Sequence, residues 1–180
     1  KYSPLAELYF VAIDFETANN DRFSACQIGI VAFDRAGIEF EKKINIRPPS
    51  EYFLHSGIHG ITWSDVYDQP SFEDVWPEIE GYFSSADYLV AHNASFDKSV
   101  LEACCSYYKL ANRNRRWLCT FRDVARRLWP NLQNHKLPTV CRELGISIVH
   151  HDGLSDARAC AKIILAAYQK NPRWLETQGP

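Results

Sequence analysis

Apolar residues along the chain fall into short runs that predict the strands of one sheet. Residues 8–15 and 26–33 are almost continuously apolar, which indicates strands that are buried on both faces. Residues 38–46 alternate apolar and polar positions and predict a half-exposed strand, which a hairpin turn at 34–37 joins to the strand before it. Two shorter apolar runs predict further strands at residues 88–91 and 117–121.

Helical spacing of apolar residues becomes regular after residue 70. A helix is predicted over 71–84, because Ser71 followed by Asp74 is typical of a helix start and the apolar residues then recur every three or four positions. The same spacing predicts four more helices, at residues 96–109, 122–129, 137–144 and 155–170. Three strands joined by short turns, then strands alternating with helices, predict an α/β fold. Its mixed sheet would have three antiparallel strands plus two parallel ones, flanked by helices.

The length and composition predict a single domain without a membrane-spanning helix. The 180 residues suffice for one domain, which we expect over residues 1–170, with a C-terminal tail or linker over 171–180. The chain contains no Met, which suggests a processed chain or part of a longer one. No apolar run approaches the roughly 18 residues that a membrane helix needs, so no membrane partner is expected. The six cysteines lack metal-ligand spacing and are expected to be reduced thiols of a cytoplasmic protein.

Four carboxylates stand where strands end or helices begin. Asp14 and Glu16 close the most apolar strand, and residues i and i+2 of a strand face the same side. Asp97 and Asp156 fall in the first turn of two predicted helices, where a carboxylate by itself would only stabilise the helix start. Two carboxylates on a buried face repel each other, and a divalent cation with oxygen ligands would remove that repulsion. These positions therefore suit a metal site.

A histidine precedes the last of these carboxylates on a loop that contains Gly153. His151 lies five residues before Asp156 and His150 lies next to it. A loop histidine is usually a solvated side chain, but beside a metal-bound water it would be a suitable general base, because its pKa is close to neutral.

The segments that carry these residues occur in a fixed order along the chain. They are Asp14-Phe15-Glu16-Thr17, then His92-Asn93-Ala94-Ser95-Phe96-Asp97, and then His151 with Asp156 and Ala157-Arg158-Ala159. Together they resemble the three motifs of the DEDDh family of 3′–5′ exonucleases, also called the DnaQ-like family. The resemblance extends over about residues 8–168 and includes His59-Gly60-Ile61-Thr62. The family spacing selects His151 over His150, and Asp152 stands where the sister subclass has tyrosine.

The resemblance implies an RNase H-like fold and a metal-dependent 3′–5′ exonuclease that releases nucleoside monophosphates from single-stranded DNA ends. It implies two divalent cations, Mg²⁺ or Mn²⁺, and a general base, His151. The residues implied to hold the cations are Asp14, Glu16, Asp97 and Asp156. The residues implied to line the pocket for the terminal nucleotide are Thr17, His59, Ile61, Asn93 and Phe96. Ile61 and Phe96 could instead be core residues. His59 could instead form a structural hydrogen bond.

Two alternatives to DNA hydrolysis remain open at this point. One is the same chemistry on RNA 3′ ends, as in oligoribonuclease or RNase T, because sugar selection depends on pocket shape around the 2′-hydroxyl. The other is a nucleic-acid-binding module without catalysis. A polymerase or repair complex is the expected partner class for a proofreading or repair nuclease.

The net charge of −2 by itself argues against nucleic-acid binding, but four of the acids are assigned to cations. Residues 109–136 contain eight Lys and Arg residues against Asp123 alone. This segment is either a solvated face or a surface that follows the phosphates of the bound strand.

Overall fold

A computed structural model of the chain describes residues 7–177. Its five strands are β1 (Phe10–Thr17), β2 (Ala25–Asp34), β3 (Gly37–Asn45), β4 (Tyr88–Ala91) and β5 (Trp117–Cys119). They form one sheet in the order β3-β2-β1-β4-β5. β1, β2 and β3 pair antiparallel, whereas β4 is parallel to β1 and β5 is parallel to β4. The predicted mixed sheet of three antiparallel and two parallel strands is confirmed.

Seven α-helices accompany the sheet in the described part of the chain. They are α1 (Ser56–His59), α2 (Trp63–Val66), α3 (Phe72–Ser84), α4 (Ala94–Tyr107), α5 (Arg126–Leu128), α6 (Leu137–Leu144) and α7 (Gly153–Lys170). A π-helical turn, Thr120–Ala125, leads into α5, and a 3₁₀ turn, Trp174–Thr177, follows α7. None of the helices between residues 7 and 177 combines the length and apolar character needed to cross a membrane.

Most predicted boundaries shift by one or two residues, and the helix predicted over 122–129 is instead the π-helical turn followed by the three residues of α5. Two of the differences have a visible local cause. The strand predicted over 117–121 ends at Cys119, because the Cys119 Sγ accepts a hydrogen bond from the Arg122 N–H and the Asp123 carboxylate accepts one from the Cys119 N–H. These bonds turn the backbone into the π-helical turn. The helix predicted from residue 96 begins at Ala94, because Asn93 adopts a left-handed conformation with a φ of 64° and turns the chain directly into α4.

The sheet is covered on both faces, which explains the continuous apolar runs of β1 and β2. Helices α3 and α4 pack on the face that carries Val11 and Ile13. Helices α6 and α7 pack on the other face, which carries Phe10 and Ala12. Since alternate residues of a strand share a face, Asp14 lies on the side of β1 that α7 covers.

The first turn of α7 rests directly on the backbone of β2. A Cβ atom added to Gly29 would lie 2.0 Å from the carbonyl oxygen of Gly153, so only glycine fits there. The Gly153 N–H donates to the Gln27 Oε1 at 3.0 Å, and the Gln27 amide in turn donates to the Asn45 Oδ1 at 3.0 Å. The start of α7 is therefore fixed relative to the sheet by backbone contact and by hydrogen bonds.

The segment after α7 packs against the domain as far as the structure describes it. Trp174 is completely buried and meets the Tyr168 ring edge-on, with 5.6 Å between ring centroids. The tail or linker predicted over 171–180 is thus anchored at Trp174, while residues 178–180 and residues 1–6 of the predicted domain lie outside the described part. All six cysteines of the chain are buried, free thiols.

Candidate active site

Four carboxylates meet at one edge of the sheet, as the order of the chain segments predicts. β1 brings Asp14 and Glu16 to this edge, and the parallel strand β4 ends at the same edge, so α4 starts there with Asp97 in its first turn. Asp156 arrives in the first turn of α7. Carboxylate oxygens of Asp14, Glu16 and Asp156 all lie within 4.8 Å of one another. The Phe15 N–H donates to the Asp97 Oδ1 at 2.9 Å and holds that side chain against β1.

Burial makes this cluster electrostatically costly when it is fully ionised. Burial and the charge of Asp97 raise the pKa of Asp14 well above its ordinary value. Burial likewise raises the pKa of Glu16 to about 8 and the pKa of Asp97 to about 7. It also raises the pKa of Asp156, against the opposing effect of His150. Glu16 and Asp97 therefore hold protons over part of the neutral pH range unless a bound cation stabilises their ionised forms.

The donor set fits a divalent cation. Asp14 Oδ2 is a buried oxygen with no hydrogen-bond partner among the described residues, and it lies within the group of Asp14, Glu16 and Asp156. Such an orphaned oxygen is costly in a folded protein, and a cation would satisfy it. Hard cations such as Mg²⁺ and Mn²⁺ prefer oxygen ligands of this kind.

Both candidate histidines lie beside Asp156 but contact it differently. The His150 imidazole Nδ1 lies 3.3 Å from the Asp156 Oδ1, whereas His151 donates its backbone N–H to the Asp156 Oδ2 at 2.9 Å. His151 has a φ of 65°, and the two rings lie 3.7 Å apart. Burial and the charge of His150 lower the pKa of His151, so its imidazole is neutral at neutral pH and able to accept a proton.

A cavity of about 760 Å³ opens over the carboxylates, and His150 and His151 contribute to its wall. Four of the five residues predicted to hold the terminal nucleotide line it: Thr17, His59, Asn93 and Phe96. Ile61 is not in the wall. Its backbone N–H donates to the His59 Nδ1 at 3.0 Å, while the His59 Nε2 lies 2.9 Å from the Thr17 carbonyl oxygen. His59 therefore has the structural hydrogen bonds that were its alternative role, in addition to its place in the wall. Asp97 is 1% exposed and does not line the cavity.

Several wall residues were assigned neither to the carboxylate cluster nor to the nucleotide pocket in the sequence analysis. They are Phe15, His55, Ile58, His92, Phe121, Lys136, Leu137 and Pro138. Two of them carried a visible signal. His55 lies one helical turn before His59, and Lys136 ends the basic segment. Phe15 and His92 belong to the first and second motifs, and the remaining residues are brought to the wall by contacts between distant parts of the chain.

The basic segment over residues 109–136 is not one continuous phosphate-binding surface. Arg113 and Arg115 both pair with Glu80, and Arg116 covers the Tyr88 ring and contacts its hydroxyl. These arginines precede β5 and therefore lie at the opposite end of the strand from the cavity. Of the eight basic residues of the segment, all of which the structure describes, Lys136 alone lines the cavity.

Comparisons with known proteins agree with this geometry. The model of the RNase T exonuclease family matches residues 11–164. The PolC-type DNA polymerase III of Caldanaerobacter subterraneus subsp. tengcongensis is 31% identical over 166 residues, which cover 89% of this chain but only 12% of that polymerase. Exodeoxyribonuclease 10 of Escherichia coli K12 is 34% identical over 113 residues, covering 60% of this chain and 45% of that enzyme.

Two solved structures with a similar architecture are those of nucleases. Exonuclease X in complex with 5′-overhanging duplex DNA matches with a TM-score of 0.73 and 26% identity over 91% of this chain and 93% of that one. The nuclease domain of 3′hExo, a DEDDh family member bound to rAMP, has a TM-score of 0.76 over 94% and 96% of the two chains. Because the sequence identity is 17%, this similarity shows a shared fold only. Given the family match and the carboxylate site, the chain belongs to the RNase T exonuclease family and is a DEDDh-type, DnaQ-like nuclease.

Proposed function

We propose that this chain is a metal-dependent 3′–5′ exonuclease that removes nucleoside monophosphates from single-stranded 3′ ends of DNA. The observation that carries the proposal is the convergence of Asp14, Glu16 and Asp156 in the wall of one cavity, with the Asp14 Oδ2 buried and without a partner among the described residues. Asp97 is held against β1 beside them by the Phe15 N–H. The cavity volume lies in the range of roughly 300–1,000 Å³ that is usual for ligand pockets. DNA as the substrate is supported by the names of two relatives, a DNA polymerase and an exodeoxyribonuclease.

The proposed cofactors are two divalent cations, Mg²⁺ or Mn²⁺. Asp14, Glu16 and Asp156 would hold one of them, and Asp14 together with Asp97 would hold the other. When bound, two such ions stabilise the attacking and leaving oxygens of an in-line displacement at phosphorus.

The remaining steps fall to residues of the cavity wall. His151 takes the proton of the attacking water, and its lowered pKa keeps the imidazole unprotonated at neutral pH. The Asp156 carboxylate fixes the backbone of the loop that carries this base. Phe96 packs against the terminal nucleotide, and Thr17 and Asn93 offer it hydrogen bonds. His59 shapes the pocket, because both of its ring nitrogens are bonded within the protein.

The proposal also includes a binding partner and a cellular location. The chain spans about an eighth of the length of the PolC-type polymerases that it resembles. We therefore propose a polymerase or repair complex as partner and the cytoplasm as location, and six free thiols are compatible with that compartment.

The test uses an oligonucleotide labelled at its 5′ end, incubated with Mg²⁺ or Mn²⁺ or with EDTA. A ladder that shortens from the 3′ end and requires the metal is expected, and Asp14→Asn should abolish it. Asp68→Asn, at an exposed position away from the cavity, is the matched control and should keep full activity. Faster cleavage of a matched RNA strand would replace DNA by RNA as the substrate. Binding without metal-dependent cleavage would identify a non-catalytic binding module and refute the proposal.

A further inference from the structure

An aromatic ring and a cation stand among the cavity-wall residues that belong to neither the carboxylate cluster nor the proposed nucleotide pocket. Phe121 lies in the π-helical turn after β5, and Lys136 lies immediately before α6. Lys136 is exposed, and it forms no ion pair with any residue between positions 7 and 177. No acidic side chain among the described residues therefore accounts for the position of the Lys136 ammonium in the wall of an acidic cavity.

A second unpaired cation lies beside Phe121. The Arg126 N–H donates to the Phe121 carbonyl oxygen, and this bond of the π-helical turn brings the two side chains together. The Arg126 guanidinium lies over the Phe121 ring, 5.9 Å from its centroid. Within the described residues Arg126 has no acidic partner, whereas Arg122 on the same turn pairs with Asp123. π-Helical turns are rare and frequently occur at functional sites.

Both segments are tied to the end of β4 by one half-buried side chain. His92, which directly follows β4, has its Nδ1 2.8 Å from the Thr120 Oγ1 and its Nε2 2.8 Å from the His135 carbonyl oxygen. Burial lowers the pKa of His92 to about 4, so the ring is neutral, with one donor and one acceptor nitrogen. Its Nε2–H therefore donates to His135 and its Nδ1 accepts from Thr120. Phe121 and Lys136, each next to one of these partners, are held in fixed positions relative to β4.

The negative charge of the cavity explains why binding of a nucleic-acid strand needs cations in the cavity wall. Three carboxylates, those of Asp14, Glu16 and Asp156, line the cavity and repel the phosphates of an approaching strand. The arginines that precede β5 make contacts elsewhere. An aromatic ring flanked by unpaired cations is the usual arrangement for holding a single strand without reading its sequence.

We propose that Phe121, Arg126 and Lys136 form a subsite for the strand that leads to the terminal nucleotide. Lys136 and Arg126 bind backbone phosphates on the 5′ side of the bond that is cut, and the Phe121 ring packs against a base. The subsite rests on the proposed exonuclease function. It adds binding for a substrate longer than one nucleotide, which the residues around Asp14 do not supply.

The first test measures binding apart from cleavage. In an Asp14→Asn background, the affinity for a fluorescent single-stranded oligonucleotide is measured by anisotropy over a range of salt concentrations. Each phosphate contact on a single strand adds about 0.7 to the slope of log affinity against log salt. Lys136→Gln should lower the slope by about 0.7, and Lys136→Arg should restore it. Phe121→Leu should weaken binding while leaving the slope unchanged.

A matched control is available in Lys109, which is also exposed and lies beyond the far end of α4. The 14 residues of α4 separate it from the cavity by about 20 Å. Lys109→Gln removes the same charge and should leave both slope and affinity at the starting values.

The second test compares substrates of different length on the otherwise wild-type enzyme. Thymidine 5′-monophosphate p-nitrophenyl ester carries one nucleotide, so it has no strand to contact the subsite. At 0.1 M salt, Lys136→Gln should raise the KM for an oligonucleotide about fivefold more than the KM for the ester. If Lys136→Gln behaves like Lys109→Gln while the wild type cleaves DNA, the subsite is refuted and the exonuclease function stands. If the wild type cleaves neither substrate but binding still depends on Lys136, the function is refuted and the subsite stands.

Discussion

The contact between Gly29 and Gly153 should control both the stability and the activity of this enzyme. Gly29→Ala would place a Cβ atom 2.0 Å from the Gly153 carbonyl oxygen, 2.2 Å from its carbon and 2.5 Å from the Leu154 nitrogen. All three atoms belong to the backbone, so no side-chain rotation relieves the clash. Ordinary contact begins at 3.4 Å, so the start of α7 must retreat from β2 by more than 1 Å.

The expected effect on catalysis follows from where α7 begins. Gly153 lies two residues after His151 and three residues before Asp156, so a shift of the helix start displaces the proposed base and a carboxylate together. A misplacement of about 1 Å in a catalytic group typically costs on the order of 100-fold in rate. Overpacking of this kind also destabilises a protein by about 1–3 kcal/mol. Gly29→Ala should therefore lose at least about 100-fold in kcat/KM and remain mostly folded.

The loss in kcat/KM is measured by oligonucleotide cleavage and the loss in stability by urea denaturation, both on the same preparation. Gly81→Ala is the control, because a Cβ there meets no atom within 4 Å and the residue lies inside α3. It should gain about 0.5–1 kcal/mol in stability and keep full activity, since alanine is the better helix former. If Gly29→Ala matched the wild type in rate and stability, α7 would not be positioned by this contact and our account of the site would be wrong.

Three further outcomes are expected. Asp14→Asn should be at least as stable as the wild type in EDTA at pH 8, although it should be inactive, because the amide is uncharged without having to hold a proton in the buried, repelling cluster; a clear fall in melting temperature would contradict this. Stability without metal should fall as the pH rises from about 4.5 to 8, because the folded protein holds protons on Glu16 (pKa about 8) and Asp97 (pKa about 7) that the unfolded chain has already released. The increase in melting temperature on adding Mg²⁺ should accordingly be larger at pH 8.5 than at pH 5.5, and an equal increase at both pH values would refute the linkage. Trp174→Ala should lose about 3–5 kcal/mol in urea denaturation, whereas Leu54→Ala, at an exposed position, should lose little; equal losses would show that the 3₁₀ turn does not anchor the chain.

The sequence predicted the sheet and the carboxylate cluster because both depend on local position. A run such as that of β1 must be buried, and Asp14 and Glu16 at its end share a face whatever the rest of the chain does. The parallel strand β4 ends at the same edge, so the position of Asp97 follows from the order of the elements.

Contacts between distant segments account for what was not predicted. Nothing around His92 indicates that its ring bonds to His135, 43 positions away, and so carries Lys136 to the cavity. The basic segment was misleading for the same reason, because Glu80, which neutralises two of its arginines, lies on α3. The short helix α2 did have a local signal, since Thr62 and Asp65 form a capping box.

The burial of every cysteine gives this protein a built-in reporter of unfolding. Burial raises the pKa of Cys104 to about 12 and the pKa of Cys105 and Cys141 to about 11, so their thiols stay protonated and unreactive in the native fold. An alkylating reagent can modify these thiols only in molecules that have opened. The six thiols are distributed over β2, α4, β5, α6 and α7, so the number and location of the added masses distinguish local opening from complete unfolding.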